Sequence, residues 1–127
     1  MDVKTVLLID DDNAFLYLTT VFIKKLYPAL TIHTAMNGEV AIQLMEKIQP
    51  DIVFLDINMP VMNGWEFLEA LTANEVKVNY PIFITSSSID PEDKKKSKHH
   101  HLIYDFIEKP LNPDKIRNIF NTQMTKR

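Results

Sequence analysis

The stretch Asp51–Gly64, DIVFLDINMPVMNG, decides how the chain is read. Its apolar run, Ile52–Leu55, is short and opens on two β-branched residues. That pattern suits a strand buried on both faces. The run delivers one carboxylate, Asp56, to its C-terminal end, and Met59-Pro60 and Asn63-Gly64 follow as turn signals. Asp56 is therefore expected at the mouth of a sheet, where open α/β folds bind ligands.

The same grammar repeats outward in both directions. On the N-terminal side, Thr5–Ile9 (TVLLI) reads as a buried strand closed by Asp10, Asp11 and Asp12. Phe15, Leu18, Phe22 and Leu26 then recur at helical spacing, with Val21 and Ile23 beside them. Asp12 or Asn13 is placed to cap that helix, and Pro28 lies just past its end. Thr31–Ala35 is a more polar strand, expected at an edge. After the Asn37-Gly38 turn, a second helix carries Val40, Ala41, Leu44, Met45 and Ile48 inward and stops at Pro50.

On the C-terminal side, a third helix is predicted from about Trp65 to Ala73, then a buried strand over Pro81–Thr85 (PIFIT) leading into Ser86, Ser87 and Ser88. Asp90-Pro91-Glu92-Asp93 is a helix start with Pro at the first helical position, followed by the very polar KKKSKHHH. The last strand lies within Leu102–Ile107 and ends at Glu108-Lys109-Pro110. Asn112-Pro113-Asp114 opens a final helix with Ile116, Ile119 and Phe120 inward. Buried strands alternating with amphipathic helices imply an α/β fold with a doubly wound, five-stranded parallel sheet and right-handed crossovers. The natural strand order is 2-1-3-4-5. There is no internal repeat or linker, so residues 1–127 are expected to form one domain.

Composition narrows the function. The chain has 127 residues, 46% hydrophobic and 24% charged, which suits one globular domain. A net charge of -3 gives no general attraction to nucleic acid or membranes. With no cysteine, disulfides, thiolate catalysis and Cys-based metal sites are excluded. MDVKTVLLIDDD reaches acidic residues too soon for a signal peptide or a span, so a cytoplasmic protein is expected.

In a parallel sheet the strand ends share one edge, so Asp10-Asp11-Asp12, Asp56, Ser86-Ser87-Ser88 and Lys109 converge. Any one of them alone is most economically a turn former or a helix cap; together at one edge they are far more specific. Two unit charges about 4 Å apart repel by ~4 kcal/mol at an effective dielectric near 20, so a positive partner is needed. With only oxygen donors, a hard divalent cation fits, Mg²⁺ in the first place and Mn²⁺ as a substitute. Lys109 supplies a fixed second positive charge. A cation, an ammonium and a hydroxyl around one aspartate suit phosphoryl transfer, with Asp56 as the nucleophile.

These residues resemble the receiver domain of bacterial two-component response regulators. The resemblance runs from Val6 to about Met124 through LLIDDD, FLDINMPVMNGWE, PIFITSS and FIEKP. It implies a flavodoxin-like receiver fold with Asp56 as phosphoacceptor. Asp10 and Asp11 are the implied Mg²⁺-holding pair, Asp56 joins them as a metal ligand, and Asn58 gives its backbone carbonyl to the metal. By the same resemblance Ser86 bonds a phosphoryl oxygen, Lys109 pairs with the phosphoryl group and Phe106 takes the aromatic switch position. Ser86 is preferred to Thr85 because it lies five residues after Pro81, as in the family. Asn58 and Ser88 stand where the family tunes the phosphoryl lifetime. A histidine kinase or phosphotransfer protein is the implied donor, and the surface of the fourth helix, fifth strand and fifth helix signals to a downstream protein.

The sequence also departs from the family. Position 86 is Ser rather than the commoner Thr, and position 106 is Phe rather than Tyr. His99, His100, His101 and Leu102 fill a loop that usually holds glycine, and Lys94, Lys95, Lys96 and Lys98 crowd the fourth helix. Adjacent histidines do not all face one point, so they read as a turn rather than a metal site. The lysines come without a recognisable nucleic-acid module. Trp65 is expected in the core or as a lid over the site; Met45, Met59 and Met62 read as gap fillers. The resulting expectation is a stand-alone phosphorylation switch, monomeric or weakly dimeric, rather than a metabolic enzyme. The rivals are an aspartate-nucleophile phosphatase and a flavodoxin-like small-ligand module. The first would want a carboxylate where Asn58 stands. The second would want a phosphate-cradling loop, and Gly38 and Gly64 are the chain's only glycines.

Overall fold

A computed structural model describes residues 3–87 and 90–125 of the chain. Strands and helices alternate as β1 (Thr5–Ile9), α1 (Asn13–Leu26), β2 (Thr31–Ala35), α2 (Gly38–Lys47), β3 (Ile52–Asp56), α3 (Gly64–Ala73), β4 (Ile82–Ser86), α4 (Pro91–Lys98), β5 (Ile103–Glu108) and α5 (Pro113–Thr125). The strands form one sheet in the order β2-β1-β3-β4-β5, every neighbouring pair parallel. The predicted fold class and strand order hold, and the polar strand β2 is an edge.

Alternation along the central strands divides the core in two. Leu8, Phe54 and Phe83 pack with Leu16 and Ile23 of α1 and Ile116, Ile119 and Phe120 of α5. Leu7, Val53, Leu55 and Ile84 face the other way, onto Ala41 of α2 and Phe67, Leu68 and Leu71 of α3. Each large side chain fully buried this way contributes about 1.5–3 kcal/mol. The two layers clamp β1, β3 and β4, so the ends of these strands are rigid mounts for polar groups.

Several sequence expectations shift. Leu18, assigned to the inner stripe of α1, is 50% exposed, and the buried stripe is Leu16, Thr19 and Ile23. The two readings differ by one residue, and Thr19 looks too polar for a core position until the structure buries it. Val40 points outward from α2 at 41% exposure, leaving Gly38 and Ala41 as its buried residues. α3 starts at Gly64, and β4 runs one residue further than predicted, so Ser86 lies inside the strand. Among the strands, β5 is the least covered. Its pairing slips between Ile82↔Ile103 and Phe83↔Asp105, leaving Tyr104 as an extra residue. Asp105 Oδ1 accepts from the next amide, Phe106 N–H, at 2.8 Å. An irregularity and a charged side chain on an edge strand both discourage a further strand from pairing there.

Candidate functional site

Asp10 follows β1 directly, and its amide donates to Ala35 O at the end of β2. Asp56 is the last residue of β3, in register with Thr85 of β4. Both carboxylates are buried while Asp11 is exposed beside them. Asp12 caps α1 by accepting from Ala14 N–H and Phe15 N–H, and its own amide donates to Asp10 Oδ1 at 2.9 Å. Asp12 is thus an anchor of the loop, and Asp10, Asp11 and Asp56 remain to face one another. Each offers one oxygen, and these oxygens lie within 4.8 Å of one another.

Lys109 enters from the end of β5, where its amide donates to Ser86 O. Its Nζ lies 2.7 Å from Asp10 Oδ2 and 3.8 Å from Asp56 Oδ2. The Asp10 contact is an ion pair outside hydrogen-bond alignment. The ammonium also sits 4.4 Å over the ring of Phe15 on α1. That stack holds the lysine head in place and excludes water from one side of it.

The electrostatics record the crowding. Burial pushes the Asp56 carboxyl up to about 6, and the neighbouring Asp10 charge adds to that; Lys109 and the Asn58 amide oppose it. Burial likewise raises Asp10, against its Lys109 contact and the Asp12 amide. One ammonium among three carboxylates leaves the site short of positive charge. The donor set is all oxygen, so the residues fit a hard divalent cation held by Asp10, Asp11 and Asp56.

The loop after Asp56 completes the rim. Asn58 N–H donates to Asp56 Oδ1 at 3.2 Å, and Asn58 Nδ2 donates to Ser86 Oγ at 3.3 Å. Ser86 is buried, as is Thr85, whose hydroxyl has no hydrogen-bond partner among the described residues. Val61 takes φ 68, and Met62 N–H bonds back to Pro60 O, forming a tight three-residue turn unusual for a β-branched side chain. The loop closes through Gly64 N–H to Ile57 O. A Cβ on Gly64 would stand 2.8 Å from Asp56 O and from Ile57 Cα, so only glycine fits without moving the backbone that carries Asp56.

The candidate site residues Asp10, Asp11, Asp56, Asn58, Ser86 and Lys109 therefore meet at one end of the sheet. Phe106 lies on β5, partly buried on the α4 side. Ser88 lies outside the described residues. Two contacts were not foreseen. The Phe15 stack could have been suspected from the aromatic that follows Asp12 by one turn. The amide of Asn58 reaching Ser86 had no sequence signal. Trp65 is no lid: it packs partly against the α3-side core, and its Nε1–H donates to Asp93 Oδ1 of α4 at 3.1 Å.

Comparison with known proteins agrees with this geometry. The sequence profile of the response regulator receiver domain matches residues 6–121. An uncharacterized response regulatory protein of Vibrio cholerae is 36% identical over 113 residues, covering 88% of this chain and 41% of its own length. The chain thus spans well under half of that relative. A two-component response regulator from Cytophaga hutchinsonii superposes with a TM-score of 0.87 at 28% identity, covering 99% of this chain and all of that one. The chemotaxis protein CheY4 of Vibrio cholerae gives 0.81 at 25% identity, covering 95% and 98% of the two chains. Neither the phosphatase nor the small-ligand module finds support among these relatives, and the chain belongs to the response regulator receiver domain family.

Proposed function

We propose that Asp56 is the phosphoacceptor of a single receiver domain, residues 1–127, that works as a Mg²⁺-dependent signalling switch. The observation that carries this is the meeting of Asp56, Asp10, Asp11 and the Lys109 ammonium at the strand ends. A partner histidine kinase or phosphotransfer protein presents a phosphohistidine. An Asp56 oxygen forms a bond to phosphorus as the phosphorus–nitrogen bond breaks and the imidazole leaves. Asp10, Asp11, Asp56 and the Asn58 backbone carbonyl would hold the divalent cation, which would supply charge stabilisation to the phosphoryl oxygens. Lys109 transfers its closest contact from Asp10 to the new phosphoryl group.

Ser86 donates its hydroxyl to a phosphoryl oxygen, exchanging its long bond with Asn58 for a charge-assisted one. Phe106 rotates into the space this vacates, and the surface of α4, β5 and α5 changes shape, a shift between two states biased by a covalent charge. Hydrolysis resets the switch; Asn58 and Ser88 set its lifetime. The downstream partner is a protein, and neither nucleic acid nor a membrane is bound directly. Among the described residues no helix is long and apolar enough to cross a membrane, and we place the switch in the cytoplasm as a monomer or weak homodimer.

Intact mass after incubation with a small-molecule phosphodonor tests the chemistry. A single phosphoryl adduct is expected, requiring Mg²⁺ or Mn²⁺ and missing from Asp56→Asn. No adduct, no donor hydrolysis and no beryllofluoride complex would sink the proposal.

A further inference from the structure

The sheet has a second edge, away from Asp56, where β4 and β5 begin. Residues 78–81 lead into β4 there, residues 101–102 lead into β5, and the last turn of α5 closes the side. Between them lies a cavity of about 350 Å³. That volume is at the small end of the range for ligand cavities. Val78, Pro81, Leu102 and Ile103 give it apolar walls.

Two properties set this cavity apart. No Asp, Glu, Lys or Arg lines it, whereas the groove between β5 and α5 carries Asp105, Glu108 and Lys115, and the cavity behind Tyr80 carries Lys77. Tyr80 itself enters as a neutral hydroxyl, since burial pushes its phenol up to about 12. His101 is exposed, its ring stacked on His100. The second property is a stranded donor. Gln123 of α5 lines the cavity at 4% exposure, and its Nε2 is buried with no hydrogen-bond partner among the described residues. A buried amide N–H without an acceptor is costly, and folded proteins rarely leave one. An acceptor delivered into the cavity would satisfy it.

We propose that this cavity binds a small uncharged molecule, a compact apolar body of about ten non-hydrogen atoms carrying one carbonyl oxygen that accepts from the Gln123 amide. The body lies against Val78, Leu102 and Ile103. A carboxylate or an ammonium entering here would give up its hydration and meet no opposite charge, so the cavity selects neutral ligands. Its walls use none of the residues that serve phosphoryl transfer, and the inference stands independently of that reading.

Acetanilide, a neutral ring with one amide carbonyl, is the probe, and benzoate is its charged counterpart. Each is titrated into the folded protein without phosphodonor or Mg²⁺, and the backbone amide and side-chain NH₂ resonances are followed. Saturable shifts are expected at Val78, Leu102, Ile103 and the Gln123 side chain, with a Kd of about 1–10 mM for acetanilide and at least about tenfold weaker binding of benzoate. Gln123→Met keeps the bulk and loses the donor. It should bind acetanilide about fivefold more weakly while melting no lower than the parent, because no internal hydrogen bond is lost. Val78→Phe, which fills the cavity from its rim, should abolish binding and does not depend on how Gln123→Met folds. The absence of any saturable shift would mean that the cavity holds water only and would overturn the proposal. So would shifts confined to Lys115 and Asn118 in the neighbouring groove, benzoate binding as tightly as acetanilide, or unchanged affinity in either variant. A clear loss of stability in Gln123→Met would show that the amide is bonded within the fold, and would overturn it equally.

Discussion

Two neighbouring helices, α3 and α4, are held to the protein by opposite means. α3 buries Phe67, Leu68 and Leu71 completely and opens on a capping box between Asn63 and Glu66. α4, with the sequence PEDKKKSK, buries Ser97 as its one buried residue. Asp93 and Ser97 face inward, continued by His100 just past the helix and flanked by the exposed Lys96, with the spacing of an amphipathic helix but without apolar residues. Three of these four meet one side chain, Trp65 of α3. The difference teaches that α3 is fixed by apolar burial, which does not depend on direction. α4 is seated by a few directional contacts that can be exchanged at small cost, as the moving part of a switch requires.

The largest effect should separate the two helices outright. Phe67→Ala is expected to cost about 3–5 kcal/mol, the range for emptying a large core site, whereas Ser97→Ala removes one hydroxyl bonded to Lys94 O and should cost about 1 kcal/mol or less. Urea melts measure both. Equal costs would erase the contrast.

The strand ends between these helices carry the next effect, with the opposite sign. Asp56 has its pKa raised from 3.8 to about 6, so the folded state holds this proton more firmly than the unfolded chain does. The burden is absent below pH 3.8, grows as the pH rises to about 6, and is constant above that. Without divalent cation at pH 7, Asp56→Asn should therefore be more stable than the parent, by up to ~3 kcal/mol. Thermal melts across this range should show the two proteins converging toward pH 4, and Mg²⁺ should narrow the gap at pH 7. A variant less stable than its parent at pH 7 would show that Asp56 supports the fold instead of straining it.

Gly64→Ala sharpens the link between α3 and the site. Its new methyl group meets backbone on the strand side, so a cost of about 1–3 kcal/mol is expected. Because the atoms displaced belong to Asp56 and Ile57, the rate of adduct formation should fall even at temperatures where the variant is fully folded. A stable variant with unchanged rate would show that the loop adjusts without moving Asp56.

How much of this could be read from the chain follows the same division. Strands such as Val53–Leu55 announce themselves as unbroken apolar runs, and helices such as α5 by the period that apolar burial leaves in the sequence. The site was legible because a parallel sheet sends all its strand ends to one edge, so Asp10, Asp56, Ser86 and Lys109 could be placed together without coordinates. Side-chain polar contacts leave no such period. Nothing in the spelling of Trp65 and Asp93 shows that they bond, or that Asn58 turns its amide to Ser86. Leu18 was misplaced for a related reason: a buried Thr19 breaks the apolar pattern that would have set the helix phase.

The smallest effect is the most informative about α4. Trp65→Phe keeps an aromatic ring against the core but removes the N–H that donates to Asp93, and with it the better of the two surfaces for Lys96. Global stability should fall by only about 1 kcal/mol, since Asp93 regains water when released. The local consequence should be larger than the global one. Amide hydrogen exchange of α4 is expected to accelerate, while α3, still anchored by Phe67, Leu68 and Leu71, exchanges as before. Asp93→Asn should act in the same direction and less strongly, because an amide oxygen still accepts from the indole. If α3 and α4 loosened together, Trp65 would be a core residue like its neighbours. If α4 did not loosen at all, Ser97 and the short connection to β5 would be enough to hold a helix that has no apolar face.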